Sequence, residues 1–137
     1  MLLVGRRERL GLNSYLHNIP TLTRSGPPRL HVHPADAATL GVSEGDDVLV
    51  ESRGGELWAA ARLTSDILHG VVSLPHGWSH HGSWRHATSL GGPNVNWPTP
   101  SGPDTLEPLA GMSHLNAVPV RVSGMASHGI SNSEWTR

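Results

Sequence analysis

The chain has 137 residues, a length that fits one domain with a single hydrophobic core. It contains no cysteine, which excludes disulfides, iron–sulfur ligation and thiol catalysis from this segment. A formal net charge of −1 provides no electrostatic footprint for nucleic acid, and no apolar run approaches the roughly 20 residues of a membrane span. These properties are compatible with a cytoplasmic location, which we expect.

The chain begins with a predicted strand, residues 2–5, that has no preceding turn or cap. Because a domain seldom begins inside core strand material, we expect the chain to be the terminal piece of a longer polypeptide. The polar sequence GRRERLGLNSYLHNIP follows and has irregular apolar spacing, which indicates a functional loop with at most one helical turn. A turn-rich connector, residues 21–28, leads out of it.

Residues 30–64 form the unit in which all sequence signals agree. Alternating apolar and polar residues at 30–33 predict a half-buried strand. Pro34 suits the first turn of a helix, because its missing N–H has no partner there, and Gly41 suits the end of that helix. Two further strands, residues 48–50 and 57–63, flank a hairpin with two glycines.

The rest of the chain is mostly loop. A fourth strand at residues 71–74 is stopped by Pro75, and a long segment rich in glycine, proline and histidine extends to residue 116. The last strand is predicted at residues 118–122. Five to six short strands with long connections predict an all-β fold with short helices, closed into a barrel. We assign residues 1–122 to this domain and residues 123–137 to a flexible tail.

Three polar segments could carry chemistry: residues 6–18, 76–86 and 91–96. Taken singly, each has an ordinary explanation as solvated surface or turn. Together they combine arginines that grip phosphate, asparagines that match a purine or pterin edge, and glycines that admit a ligand to the backbone. The set therefore indicates a large anionic heterocycle such as a dinucleotide. The sequence has no Gly-x-Ser-x-Gly elbow, P-loop or Gly-x-Gly-x-x-Gly fingerprint.

Four histidines fall within eleven positions: His76, His80, His81 and His86. Zinc could use such a cluster. However, no helix reliably supports a ligand pair here, and no carboxylate lies between residues 75 and 102. We therefore predict no metal site.

These segments, with the central unit, resemble the C-terminal molybdopterin-dinucleotide-binding domain of the molybdopterin oxidoreductases, the dimethyl sulfoxide reductase, formate dehydrogenase and nitrate reductase group. Five motifs over residues 2–122 follow the family's order: GRRERLGLNSYLHN, HPADAATLGVSEGDDVLVESRGGEL, TSDILHGVVSLPHGW, GGPNVNWPT and LAGMSHLNAVPVRV. The resemblance implies a closed six-stranded double-psi β-barrel, similar to the aspartate-decarboxylase-like fold. It also implies that the domain clamps molybdopterin guanine dinucleotide from one side.

By position, the resemblance implies cofactor-binding residues in all three polar segments: Arg6, Arg7, Asn13, Ser14, His17, Asn18, His76, Gly77, Trp78, Asn94 and Asn96. They would hydrogen-bond to pterin edges and cradle phosphates. In the family, the ligand to molybdenum or tungsten and the iron–sulfur cluster come from earlier domains. The expected partners are therefore the remaining domains of the parent oxidoreductase, and no catalytic residue is assigned here. The isolated domain should be inactive.

Two other functions stay open at this point. A free-standing double-psi barrel could bind small ligands or partner proteins without a redox role, and the length of the native reading frame would discriminate it. A pyruvoyl decarboxylase on the same barrel needs a Gly-Ser self-cleavage site, for which Gly82-Ser83 is the only candidate pair. A histidine-rich insert at residues 79–86 and a proline-rich stretch at 97–108 depart from the family pattern and leave the substrate open.

Overall fold

The computed structural model describes residues 1–11, 13–80, 82 and 85–125. Its elements in chain order are β1 (Leu2–Arg6), β2 (Leu30–Val32), α1 (Pro34–Leu40), β3 (Asp47–Glu51), β4 (Glu56–Leu63), β5 (Val71–Pro75), α2 (Arg85–Leu90), a 3₁₀ helix (Pro103–Thr105), β6 (Asn116–Pro119) and β7 (Arg121–Gly124). His81, Ser83 of the Gly-Ser pair, and residues 126–137 of the predicted tail lie outside the described residues. Within the described ranges, no helix is long and apolar enough to cross a lipid bilayer.

The predicted helix after β2 is confirmed as α1, and local interactions explain both of its ends. The His33 ring accepts a hydrogen bond from the Ala35 N–H, and Gly41 ends the helix in the left-handed conformation at φ 66°. Asp36, buried in the first turn, accepts a hydrogen bond of 2.8 Å from the Gly70 N–H. This bond ties α1 to the turn that precedes β5.

All seven strands form one mixed sheet in the order β6-β1-β5-β2-β4-β3-β7. The pairs β1–β5 and β2–β4 are parallel, and the other neighbouring pairs are antiparallel. Aliphatic side chains on the concave face make the core; among the most deeply buried are Leu3, Leu30, Val32, Val48, Val50, Val72 and Leu74. The absence of phenylalanine therefore leaves β-branched and leucine side chains to fill it.

The prediction of a closed six-stranded double-psi β-barrel, similar to the aspartate-decarboxylase-like fold, is wrong. The sheet is a seven-stranded half-barrel whose order ends at β6 on one side and β7 on the other. The single strand predicted at 118–122 is divided: β6 pairs with β1 up to Pro119, and β7 pairs with β3 from Arg121. Between them, Val120 exchanges backbone hydrogen bonds of 2.9 and 2.8 Å with Met1. Because these two residues are 119 positions apart, no local pattern specifies their pairing.

The hairpin between β3 and β4 packs against residues 98 and 99, which follow the third polar segment. A Cβ at Gly54 would lie 2.5 Å from the carbonyl carbon of Thr99, a separation that side chains do not tolerate. The Ser52 hydroxyl donates a hydrogen bond to the Pro98 carbonyl. The hairpin glycine is therefore required for close packing as well as for the turn.

Candidate functional site

The first two polar segments meet beyond the parallel strands β1 and β5. Arg6 at the end of β1 lies opposite Pro75 at the end of β5, so the residues that follow leave the sheet together. The backbone N–H of His76 donates to the Arg6 carbonyl at 3.1 Å, and its ring Nδ1 lies 2.9 Å from the same oxygen. The ring Nε2 lies 2.9 Å from the Asn13 side-chain amide. His76 thus fixes the first polar segment against the corner after β5.

The Arg6 carbonyl sets which nitrogen of the His76 ring carries a proton. A carbonyl oxygen only accepts, so the ring proton is on Nδ1. The structure places the Asn13 side-chain oxygen 2.9 Å from Nε2, so a protonated Nε2 donates to it; a neutral ring with Nε2 as the acceptor requires the amide turned so that its NH₂ group donates. Asn13 can serve either form because its side chain both donates and accepts.

Gly77 makes the closest backbone contact at this corner. Its φ is +93°, and a Cβ there would lie 2.1 Å from the Asn13 carbonyl oxygen and 2.9 Å from the Ser14 nitrogen. A glycine is therefore required at this position on both conformational and steric grounds. We name the group formed by Asn13, Ser14, His17, His76, Gly77 and Trp78 the loop–corner site.

The floor of the loop–corner site is a stacked pair of rings. His17 is only 3% exposed, and its ring lies over that of Trp78 with centroids 4.1 Å apart. His17 Nδ1 lies 2.6 Å from Nε2 of His80, and the Trp78 indole N–H donates to a Glu8 carboxylate oxygen at 3.1 Å. Burial lowers the pKa of His17, the nearby His80 lowers it further, and Glu8 opposes both effects.

Strained backbone surrounds this floor. Among the non-glycine residues described, Asn13, Leu16 and Ser79 have φ values of 52°, 73° and 72°. Asparagine tolerates this left-handed region, but the conformation costs other residues about 1–2 kcal/mol. Strain of this kind is concentrated at ligand and active sites, where the surrounding structure maintains it.

Asn18 and α2 extend the site. The Asn18 side-chain oxygen accepts a 3.4 Å hydrogen bond from the Ala87 N–H, and the Thr23 hydroxyl lies 2.8 Å from Nε2 of His86. The first polar segment therefore positions α2. Sequence analysis missed this helix because its six residues lie in a stretch without hydrophobic periodicity.

The arginines predicted to bind cofactor are placed differently from one another. The Arg6 guanidinium reaches across β5, where it donates to the Ser73 carbonyl at 2.7 Å and lies 3.1 Å from His31 Nε2. Arg6 therefore contributes its backbone carbonyl, rather than its charge, to the loop–corner contacts. Arg7 is exposed directly after β1.

The third polar segment reaches the site through its glycine. A Cβ at Gly92 would lie 3.2 Å from the Trp78 ring, so this backbone packs close to the floor of the site. The Asn94 side chain accepts a 3.0 Å hydrogen bond from the Asn96 N–H. The structure thus brings the first two segments together and the start of the third against them, while the two asparagines contact each other.

Sequence analysis missed Glu8 and His80 as parts of the site. His80 belongs to the histidine run, which was a usable signal, whereas nothing in the sequence pairs Glu8 with a tryptophan seventy positions away.

Within the described part of the chain, no group of three or more metal-ligating side chains is assembled. A larger groove of about 780 Å³ lies along β4, near Trp58, Pro93 and Trp97, and none of the predicted site residues lines it.

Comparison with known proteins gives the following matches. Residues 1–119 match the family model described as "Molydopterin dinucleotide binding domain". The chain is 30% identical over 123 residues to the probable dimethyl sulfoxide reductase chain YnfF of Escherichia coli K12, an alignment covering 86% of this chain and 14% of the relative. It is 48% identical over 48 residues to the F420-dependent formate dehydrogenase subunit alpha of Methanocaldococcus jannaschii, covering 35% and 7%.

Among solved structures, acetylene hydratase from Pelobacter acetylenicus superposes on this chain with a TM-score of 0.75 at 22% identity. The match covers 90% of this chain and 18% of the hydratase, and at this identity it shows a common fold alone. The aligned regions amount to only 7% to 14% of the two relatives' lengths.

Proposed function

The chain belongs to the Molydopterin dinucleotide binding domain family, and we propose from this that it is one domain of a larger molybdenum or tungsten oxidoreductase. The cofactor of the domain is molybdopterin guanine dinucleotide. In our proposal the loop–corner site holds this cofactor, and the remaining domains of the parent protein cover its other side. These domains supply the metal ligand and the substrate site.

The observation that carries this proposal is the hydrogen bonding of His76. One ring nitrogen is held by the Arg6 carbonyl and the other by Asn13, so two segments distant in sequence are fixed in one arrangement. Asn13 and Ser14 are nevertheless exposed to solvent. Polar groups that are rigidly placed yet exposed can bind a ligand without first being ordered.

The residues present fit the cofactor chemically. Asn13 offers both a donor and an acceptor, as the edges of pterin and guanine require, and Ser14 adds a hydroxyl. Arg7 is exposed directly after β1, and its guanidinium suits phosphate oxygens. The narrow space at Gly77 holds the Asn13 backbone where these side chains are presented. When bound, the cofactor supplies the redox chemistry, and this chain binds and orients it.

The experiment measures pterin released per polypeptide from the purified parent protein. We compare the native protein with Asn13→Ala and with the matched variant Asn116→Ala, which alters an exposed asparagine on β6. Loss of one hydrogen bond of about 1 kcal/mol weakens affinity about fivefold, and it lowers occupancy by the same factor when the free cofactor concentration is well below Kd. We expect this loss in Asn13→Ala and native pterin content in Asn116→Ala.

The same measurement tests the third segment through the double variant Asn94→Ala and Asn96→Ala. A parent protein that contains no pterin, or full pterin content in Asn13→Ala and in the double variant, would overturn the proposal. The isolated chain should show no oxidoreductase activity with any donor and acceptor pair that the parent protein uses.

A further inference from the structure

The groove of about 780 Å³ along β4 lies outside the loop–corner site, and strand alternation places its floor. The odd-numbered residues of β4 from 57 to 61 belong to the hydrophobic core. Glu56, Trp58 and Ala60 alternate with them and line the groove on the opposite face of the sheet. Asp47 on β3 lies opposite Ala60 in the antiparallel register and lines the same groove.

Close backbone contacts at two glycines fix the walls of the groove. A Cβ at Gly92 would lie 3.0 Å from Cδ of Pro28, so the third polar segment packs directly against the connector that follows the first. A Cβ at Gly55 would lie 2.8 Å from the Trp97 carbonyl oxygen, so the Trp97 backbone is held against the β3–β4 hairpin. The Trp97 residue is nevertheless 50% exposed. An anchored tryptophan that remains exposed is the kind of residue that carries binding energy at protein interfaces.

The groove carries negative charge that has no counterion. Arg29 lines it, but this arginine is paired with Glu44 at 3.2 Å. Asp47 and Glu56 are both exposed, and neither forms an ion pair with any residue that the structure describes. Tryptophan faces attract ammonium and guanidinium groups, and carboxylates pair with them. The groove is therefore complementary to a partner that is both apolar and basic.

The strand register sets the spacing of the two carboxylates. Glu56 and Ala60 are four positions apart, about 13 Å along β4, and Asp47 lies beside Ala60. Trp58 lies midway between them. A peptide in extended conformation has the same rise per residue, so its residues i and i+4 would reach the two carboxylates. Residue i+2 would point to the same side and pack on the Trp58 ring.

We propose that the groove along β4 docks an extended segment from another part of the parent protein, with basic residues at positions i and i+4 and an apolar residue at i+2. The proposal rests on the proposed function for the existence of that parent protein. This chain aligns with only 14% of the dimethyl sulfoxide reductase relative, which leaves most of that relative's length to supply such a segment. The docked segment covers Trp97 and neutralises both carboxylates.

The first test identifies the occupant by photo-cross-linking in the purified parent protein. Glu56→benzoylphenylalanine places the reactive group at the groove, and mass spectrometry of the cross-linked peptide reads the partner. Leu68→benzoylphenylalanine, at a residue that does not line the groove, is the control. We expect position 56 alone to capture a segment from outside this chain with the basic–x–apolar–x–basic pattern. Capture of residues 126–137, of a second copy of the chain or of a segment without the pattern overturns the proposal, as does no capture.

The second test titrates the 137-residue chain with the peptide Arg-Thr-Leu-Thr-Arg and follows the indole N–H signals of Trp58 and Trp97 by NMR. The peptide Arg-Arg-Leu-Thr-Thr has the same composition without the spacing. We expect it to bind at least threefold more weakly. The double variant Asp47→Asn and Glu56→Gln should weaken binding of the first peptide about tenfold, because two ion pairs are lost. Asp104→Asn, which changes an exposed carboxylate outside the groove, should bind as the native chain does.

Equal binding of the two peptides, or unchanged binding in the double variant, overturns the docking proposal. The parent protein that carries Asp47→Asn and Glu56→Gln should keep its native pterin content. Failure of the docking proposal would therefore appear in the cross-linking and the titration, whereas failure of the proposed function would appear in the pterin measurement.

Discussion

Replacing Gly77 by alanine tests the geometry of the loop–corner site most sharply. The new Cβ would lie 2.1 Å from the Asn13 carbonyl oxygen, so the backbone of one segment must move by about an ångström. Alanine at φ +93° also carries a conformational cost of about 1–2 kcal/mol. Overpacking of this kind typically adds about 1–3 kcal/mol. We therefore expect Gly77→Ala to lower the free energy of unfolding by roughly 2–5 kcal/mol.

Gly70→Ala is the matched control. Gly70 has a similar φ of +81°, but a Cβ there meets no atom within 4 Å. Gly70→Ala should therefore lower the free energy of unfolding only by the conformational cost, about 1–2 kcal/mol. Urea unfolding of both variants measures the difference, and the pterin content of the parent protein should fall in Gly77→Ala alone. Equal losses of stability in the two variants would refute the close backbone approach.

Three further predictions concern side chains in the same framework. Burial lowers the pKa of both His17 and His31, so the unfolded chain binds protons more readily than the folded one. The free energy of unfolding should therefore fall as the pH decreases below about 6.5. Urea midpoints that stay constant or rise as the pH is lowered from about 8 to about 5 would contradict this. Asp36→Ala should cost about 1–3 kcal/mol in urea unfolding by leaving a backbone N–H unpaired, and Asp36→Asn, which keeps an acceptor, should cost clearly less. Trp78→Phe should lose about 1–2 kcal/mol of stability with its indole donor, and a double-mutant cycle with Glu8→Gln that shows no coupling would exclude the bond between them.

The parts of the fold that sequence predicts are those set by neighbouring residues. Pro34 and Gly41 mark the ends of α1, and the two glycines of the hairpin mark the turn between β3 and β4, because each has a local conformational reason. The sheet order depends instead on pairings such as Met1 with Val120, which no local pattern encodes. This is why the number of strands and the closure of the sheet were predicted wrongly.

In the candidate site, too, local motifs could be predicted and tertiary contacts could not. The motif residues Asn13, His76 and Gly77 were predicted from the resemblance, and the structure places them in contact. The direction of the Arg6 side chain and the role of Glu8 depend on tertiary neighbours. The resemblance could therefore propose residues for a site, but it could not say which of their atoms meet one another in the fold.

The most direct test of the central claim is an experimental structure of the parent protein with cofactor bound. The measured quantity is the distance from the Asn13 and Ser14 side chains to the dinucleotide. We predict hydrogen bonds of about 3.2 Å or less from at least one of them, with His76 still bridging Arg6 and Asn13. A dinucleotide bound elsewhere on this domain, such as in the groove along β4, with Asn13 and Ser14 in contact with solvent alone, would contradict the account.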